Sequence, residues 1–154
     1  MYNHVPQEYK CPICLGINGV ENDDTLIRQG DIIYRDKLII AFISSFFIGN
    51  NPGHVIISPI KHFENIYDIE NSYLNTISDF SKKIAIKLKE VYKCEGITIL
   101  QNNEPDGGQH AFHYHLHVFP RYKNDNLHNN MLEKKPTTPE ERGIYAEKLK
   151  VVLL

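Results

Sequence analysis

The 154-residue chain sets 17 Lys and Arg against 19 Asp and Glu, for a net charge of −2, and 42% of it is hydrophobic. That balance is ordinary for a globular chain and leaves no basic footprint for a nucleic-acid polymer or an anionic membrane surface. No apolar run approaches the ~20 residues of a membrane span. The opening Met-Tyr-Asn-His-Val-Pro lacks a signal-peptide core, so cytoplasm is the expectation. The length suits one domain, residues 1–154, with a core that needs no disulfide staples. Three cysteines fit a reducing compartment better than a disulfide framework.

In chain order, Cys11-Pro-Ile-Cys14 comes first. Cys-x-x-Cys has a redox reading and a metal reading. A thioredoxin-type motif follows a strand in a βαβ unit, and nothing upstream is long enough to supply that strand. A structural zinc needs two further ligands, and the chain has histidines to offer.

Leu26-Ile27 through Ile32-Ile33-Tyr34, then Leu38 to Ile43, read as two strands joined by a hairpin turn at Arg35-Asp36-Lys37. Ser44 to Pro52 reads as a loop whose Phe46-Phe47-Ile48 can wall a pocket. Val55 to Ser58 is a further strand that Pro59 ends.

Asn71 to Lys93 is the long helix. Tyr73, Ile77, Phe80, Ile84, Leu88 and Val91 recur at three- or four-residue steps, and Asn71 or Ser72 is the expected cap. Its apolar stripe, and Cys94 at its end, read as core without chemistry. Gly96 to Leu100 is a strand. Tyr122 to Lys135 is polar and aperiodic, with little fixed structure expected of it. Thr138-Pro139-Glu140 then has the form of a helix start, with a short helix to Lys150.

Between these lies Asn102 to Arg121, which holds the most specific signal. His113, His115 and His117 alternate with Tyr114, Leu116 and Val118. A period of 2 predicts a strand with the imidazoles on one face and the apolar residues packed into a core on the other. The Pro105-Asp106-Gly107-Gly108 turn just upstream can aim backbone N–H groups at an anion. Metal and nucleotide sites both fit a row of imidazoles.

His113-Tyr-His115-Leu-His117-Val-Phe119 resembles the His-φ-His-φ-His-φ-φ motif of the histidine triad (HIT) superfamily, where φ is apolar. Asn102-Asn103, Gly107-Gly108-Gln109 and the earlier Gly53-His54-Val-Ile-Ile-Ser-Pro59-Ile-Lys61-His62 are similar to the segments that accompany it. The resemblance spans residues 11–123 and leaves 124–154 as a polar segment and a C-terminal helix. It implies an α+β fold: an antiparallel sheet of about five strands, one long helix, a short terminal helix, and association as a homodimer.

The resemblance also implies a nucleotide substrate. His115 would attack the α-phosphorus to form a nucleotidyl-histidine that water then opens. It would be unprotonated, with its other ring nitrogen donating to a backbone carbonyl. His117 would contact phosphate or protonate the leaving group, Gln109 would orient the scissile group, and His54 would assist. Asn103 and the Gly107-Gly108 backbone would bind phosphate, and Phe42 and Ser44 would face the nucleoside. Zinc would sit in a closed structural site of Cys11, Cys14, His62 and His113.

Two residues depart from the HIT pattern. Ser44 stands where family members usually carry a ribose-binding aspartate, and His110 replaces the expected Ser or Thr after Gln109. Nucleoside phosphoramidates or related conjugates are the leading substrate class. The alternatives are a dinucleoside polyphosphate hydrolase or phosphorylase and a non-catalytic nucleotide-binding protein.

Overall fold

The computed structural model describes residues 2–153 and has the expected architecture, a mixed α and β fold built on one antiparallel sheet. Its strands are β1 (Ile32–Arg35), β2 (Ile39–Ile43), β4 (Val55–Pro59), β5 (Gly96–Gln101) and β6 (Leu116–Arg121), in the order β1-β2-β4-β6-β5. The β1–β2 turn forms at Arg35-Asp36-Lys37, because the Asp36 carboxylate accepts from the N–H groups of Leu38 and Ile39 at 2.7 and 2.8 Å.

Helix α2 (Asn71–Tyr92) covers one face of the sheet. Its Ile77, Phe80, Ile84 and Leu88 pack on Ile39, Ala41, Ile43, Val55, Ile57 and Val118 in the main core. Neither Asn71 nor Ser72 caps it. The cap position is Glu70, with no side-chain capping bond, since its carboxylate goes instead to Lys61 at 2.6 Å. Lys93 then ends the helix in the left-handed region, φ 55°.

Three segments differ from expectation. Leu26-Ile27 is not strand; Thr25 hydroxyl bonds to Pro12 carbonyl and Ile27 N–H fix it against α1 (Pro12–Ile17). Phe46–Ile48 is a strand, β3, not a loop. Its partner β7 (Lys134–Pro136) lies in the stretch expected to have little structure, which also holds the short helix α3 (Leu127–Asn130). What orders that stretch is Asp125, fully enclosed and holding Arg121 at 2.7 and 2.8 Å, the N–H groups of Tyr122 and Leu127, and the Asn51 amide.

Helix α4 (Pro139–Leu153) begins as the sequence suggests. Thr138 and Glu141 form a reciprocal capping box, hydroxyl to Glu141 N–H and carboxylate to Thr138 N–H. From its first turn Arg142, only 2% exposed, donates to buried Asp31 at 2.8 Å, to Thr137 carbonyl at 2.6 Å and to Leu26 carbonyl at 3.0 Å. One guanidinium thus ties α4, the residue before β1 and the Leu26 segment together. Removing it strands a buried carboxylate. Arg142→Ala is expected to cost about 3–5 kcal/mol in urea unfolding, against less than about 1 kcal/mol for removal of the exposed Lys87–Glu90 pair.

Candidate active site

Strand β6 lies between β4 and β5, with Ile56 and Leu100 opposite His117. Side chains alternate across the sheet, so Leu116 and Val118 join Tyr114 in the core under α2, as the sequence pattern predicts. His115, His117 and Phe119 share the opposite face and line a cavity of about 460 Å³, within the usual range for small-molecule sites. His113 does not join them. The strand starts at Leu116, and His113 lies in the turn ahead of it with its ring directed elsewhere.

Two separate apolar clusters bound the cavity. Ile13, Ile27, Phe42, Ile56 and Ala111 come from one; Ile48, Phe119, Leu100 and Met131 come from the other. Ser44, His54, Asn102, Gly108 and His110 line it between and around them, with Asp23, Asp24 and Lys134 adding charge.

Burial sets the state of the imidazoles. His115 is depressed below the ordinary histidine range by burial, which outweighs the opposing pull of a backbone acceptor. That acceptor is the His113 carbonyl, 2.6 Å from Nδ1. The bond places the His115 proton on Nδ1 and leaves Nε2 with a free lone pair. His117 is held well below its ordinary value, by burial first and then by electrostatic repulsion that its charged form would meet from the neighbouring His115, His54 and Lys134. Its Nδ1 lies 3.3 Å from Nε2 of His54, whose ring stacks on Phe119 at 4.2 Å. His54 is 1% exposed, its Nδ1 has no partner, and burial pushes its pKa down to about 3.

On the far side of His113 a second group assembles. The donor atoms of Cys11, Cys14, His62 and His113 all lie within 4.8 Å of one another. His113 Nδ1 is 3.4 Å from each sulfur, and His62 Nδ1 is 3.2 Å from that of Cys14. Tetrahedral zinc with bonds near 2.0–2.3 Å would set its donors roughly 3.3–3.8 Å apart, so the residues fit such an ion. Hydrogen bonding within the cysteine pair pushes the Cys11 thiol down, with help from His113 and His62, and the Cys14 thiol up, so the pair holds one thiolate, and thiolate is the ligating form. His113 Nε2 donates to the Pro59 carbonyl at 3.0 Å, an outer partner that leaves Nδ1 free to ligate.

The HIT domain family matches residues 27–124. The chain belongs to the HIT family. Over 113 residues it is 34% identical to a HIT-like protein of Saccharolobus solfataricus, covering 73% of this chain and 77% of that one. It is 27% identical to the bis(5'-adenosyl)-triphosphatase of Dictyostelium discoideum over 75% of this chain and 80% of that one. A zinc-bound histidine triad protein of Mycobacterium smegmatis has the same fold, with TM-score 0.73 at 22% identity over 94% of this chain and 95% of that one.

Several of the HIT residues expected at the site lie elsewhere. Gln109 is enclosed, and its amide accepts from Glu104 N–H at 2.8 Å and donates to the carbonyls of Glu64 and Ala111. Asn103 bonds Ile66 N–H and Gln101. Its neighbour Asn102 lines the cavity instead and donates to Gly108 carbonyl at 3.3 Å. The N–H groups of Gly107 and Gly108, expected to meet an anion, close the loop on the carbonyls of Glu104 and Pro105. The glycines are needed for space and angle. A Cβ on Gly107 would meet Asn103 carbonyl at 2.0 Å, and Gly108 has φ +82°.

Phe42, Ser44 and His110 do reach the HIT cavity. Ser44 hydroxyl accepts from Phe46 N–H at 3.2 Å. Sequence reasoning missed Asp23, Asp24 and Lys134, since single charges in aperiodic stretches carry no pattern.

Burying neutral His54 makes the fold sensitive to acid. Below pH 6.5 the unfolded chain takes up a proton that the folded chain refuses until about pH 3. The stabilisation is therefore complete above 6.5 and is lost progressively toward 3, at about 1.4 kcal/mol per pH unit. His54→Phe, which keeps a ring on Phe119, is expected to flatten the fall in unfolding free energy between pH 6.5 and 4 relative to the native protein.

Proposed function

We propose that the protein hydrolyses nucleotide conjugates at the α-phosphate through a nucleotidyl-His115 intermediate. One observation carries the reading: the His115 Nδ1 bond to the His113 carbonyl at 2.6 Å, which supports a neutral ring with Nε2 as nucleophile. His115 Nε2 forms a bond to phosphorus as the bond to the leaving group breaks. The leaving group departs with the electron pair of the broken bond, accepts a hydrogen bond from His117, whose Nε2 carries a proton if His54 donates to its Nδ1, and takes up a proton from solvent. Water then attacks the phosphorus and yields a proton to solvent, which releases the nucleoside monophosphate and returns the His115 lone pair.

Nucleoside phosphoramidates fit this chemistry, in line with the resemblance in the sequence. A dinucleoside polyphosphate is a second substrate with support of its own. The cavity continues past His117 to a second apolar wall, and a relative covering most of the chain is named as acting on such a compound. The reaction is common to both; only the leaving group differs. His115→Ala is expected to lower kcat/KM for either substrate by about 1,000-fold or more. Quenching the native enzyme in alkaline denaturant, where a P–N bond survives, should trap protein heavier by one nucleotidyl group. Unchanged turnover by folded His115→Ala would sink the reading.

The Cys11, Cys14, His62 and His113 group is assigned to a structural zinc ion, since four protein donors leave no position for substrate. When bound, zinc would join α1 to the turn that carries the His113 carbonyl. The purified protein is expected to contain about one zinc per chain. His62→Ala should lose it and melt at a lower temperature. Metal-free protein that melts no lower than loaded protein would refute the assignment.

A further inference from the structure

Strands β3 and β7 form a two-stranded ribbon in which Phe46, Phe47 and Ile48 face Pro136, Lys135 and Lys134. Alternation puts Phe46, Ile48 and Lys134 on one side, and all three line the cavity. Phe47 lies on the other side and packs on Tyr145 at 5.3 Å. The Lys134 ammonium sits 5.4 Å from the centre of the Phe46 ring. No carboxylate neutralises it among the described residues, and no other lysine or arginine lines the cavity.

The charges are spread unevenly. Asp23 and Asp24 belong to the segment anchored on Pro12, beside the cluster of Ile13, Ile27 and Phe42. Lys134 stands across from Ile48, beside the cluster of Ile48, Phe119 and Met131. His115 and His117 line the same cavity. A phosphate chain leaving the α-position is repelled by the first end and attracted by the second. Asp24 is paired with Lys10 at 2.9 Å, so among the described residues Asp23 is the acid of the first end outside an ion pair, as Lys134 is the cation of the second.

We propose that Lys134, with Ile48, Met131 and Leu132, forms a leaving-group subsite that selects nucleotides whose α-phosphate is joined to a further phosphate. The inference rests on the proposed α-phosphate chemistry and names the leaving group it favours. A lysine suits the task as a flexible point charge that meets phosphate oxygens without the fixed geometry of arginine. Lys134 also adds to the field that keeps His117 neutral. Leu132, 96% exposed, offers an apolar surface at the mouth where a second base can rest.

The test compares native protein with Lys134→Met and Lys135→Met, since Lys135 lies next in sequence but on the opposite side of the ribbon. The first readout is the ratio of kcat/KM for diadenosine triphosphate to that for an adenosine phosphoramidate with an uncharged amine. The second is the ratio of equilibrium affinities for α,β-methylene-ADP and AMP, which needs no turnover. Lys134→Met is expected to lower both ratios about 10-fold, the equivalent of one lost charge-assisted contact. Lys135→Met is expected to leave both unchanged.

Equal ratios in native protein and Lys134→Met would overturn the subsite. So would an equal fall in Lys135→Met, which would point to net charge alone. If no substrate turns over, a Lys134-dependent affinity ratio still supports the subsite while the nucleotidyl-His115 reading falls. If His115-dependent turnover is present and both ratios ignore Lys134, the reaction stands and the subsite falls.

Discussion

His113 couples the two halves of this molecule through a single residue. Its ring lies with Cys11, Cys14 and His62 and donates to Pro59, while its own carbonyl accepts from His115. A carbonyl points wherever its peptide plane is held. The direction of His115 Nε2, and the tautomer that leaves it bare, therefore depend on the turn that His113 anchors. A thiolate–imidazole group with fixed spacing holds that turn more rigidly than apolar packing would. The N-terminal cysteines thus act at the site without entering the cavity.

The same sheet supplies both sides of the argument. Its α2 face is an apolar core of ordinary kind, which secures Leu116 and Val118 and so the height of His117 between Ile56 and Leu100. The other face carries imidazoles that burial keeps neutral. Neutral imidazole is the useful form at phosphorus, because a protonated ring has no lone pair to give. The walls beyond the sheet are fixed by buried charge pairs: Arg142 with Asp31 on the Leu26 side, Asp125 with Arg121 where the chain enters α3. Each anchor orders a segment with too little apolar surface to order itself.

Legibility in the sequence followed the range of the interaction that shapes each element. Alternation in residues 113–118 and the stripe in residues 71–92 are local, and they placed the sheet, its core face and α2. The strand nonetheless starts at Leu116, because the ring of His113 is drawn to cysteines about a hundred residues away. The pairing of Cys11 and Cys14 with His62 and His113 followed from resemblance, since spacing offered no way to choose among eight histidines. Ribbon β3–β7 was illegible for a different reason. Its pairing spans more than eighty residues, and Lys134-Lys135-Pro136 has none of the β-branched or aromatic content that marks a strand. Asn102 and Asn103 are of one type and adjacent, so only the register of the loop decides which faces the cavity.

The charge of the site is best understood from what it omits. A phosphate chain is commonly met by clustered arginines or a metal ion, yet a cation against His115 or His117 acts on two groups at once. It attracts substrate, and it also raises the cost of protonating the ring. Set at the start of β7, Lys134 adds to the neutrality of His117 from the cavity wall. Asp23 and Asp24 stand beside the opposite cluster, where they favour hydroxyl donors over phosphate. Ser44 leaves this HIT chain without a carboxylate at the position expected to bind ribose, and the nearest acids along the cavity wall come from that unrelated segment. Under the proposed reaction, polarity along the cavity favours a nucleotide with its nucleoside toward the acids and its leaving group toward the lysine.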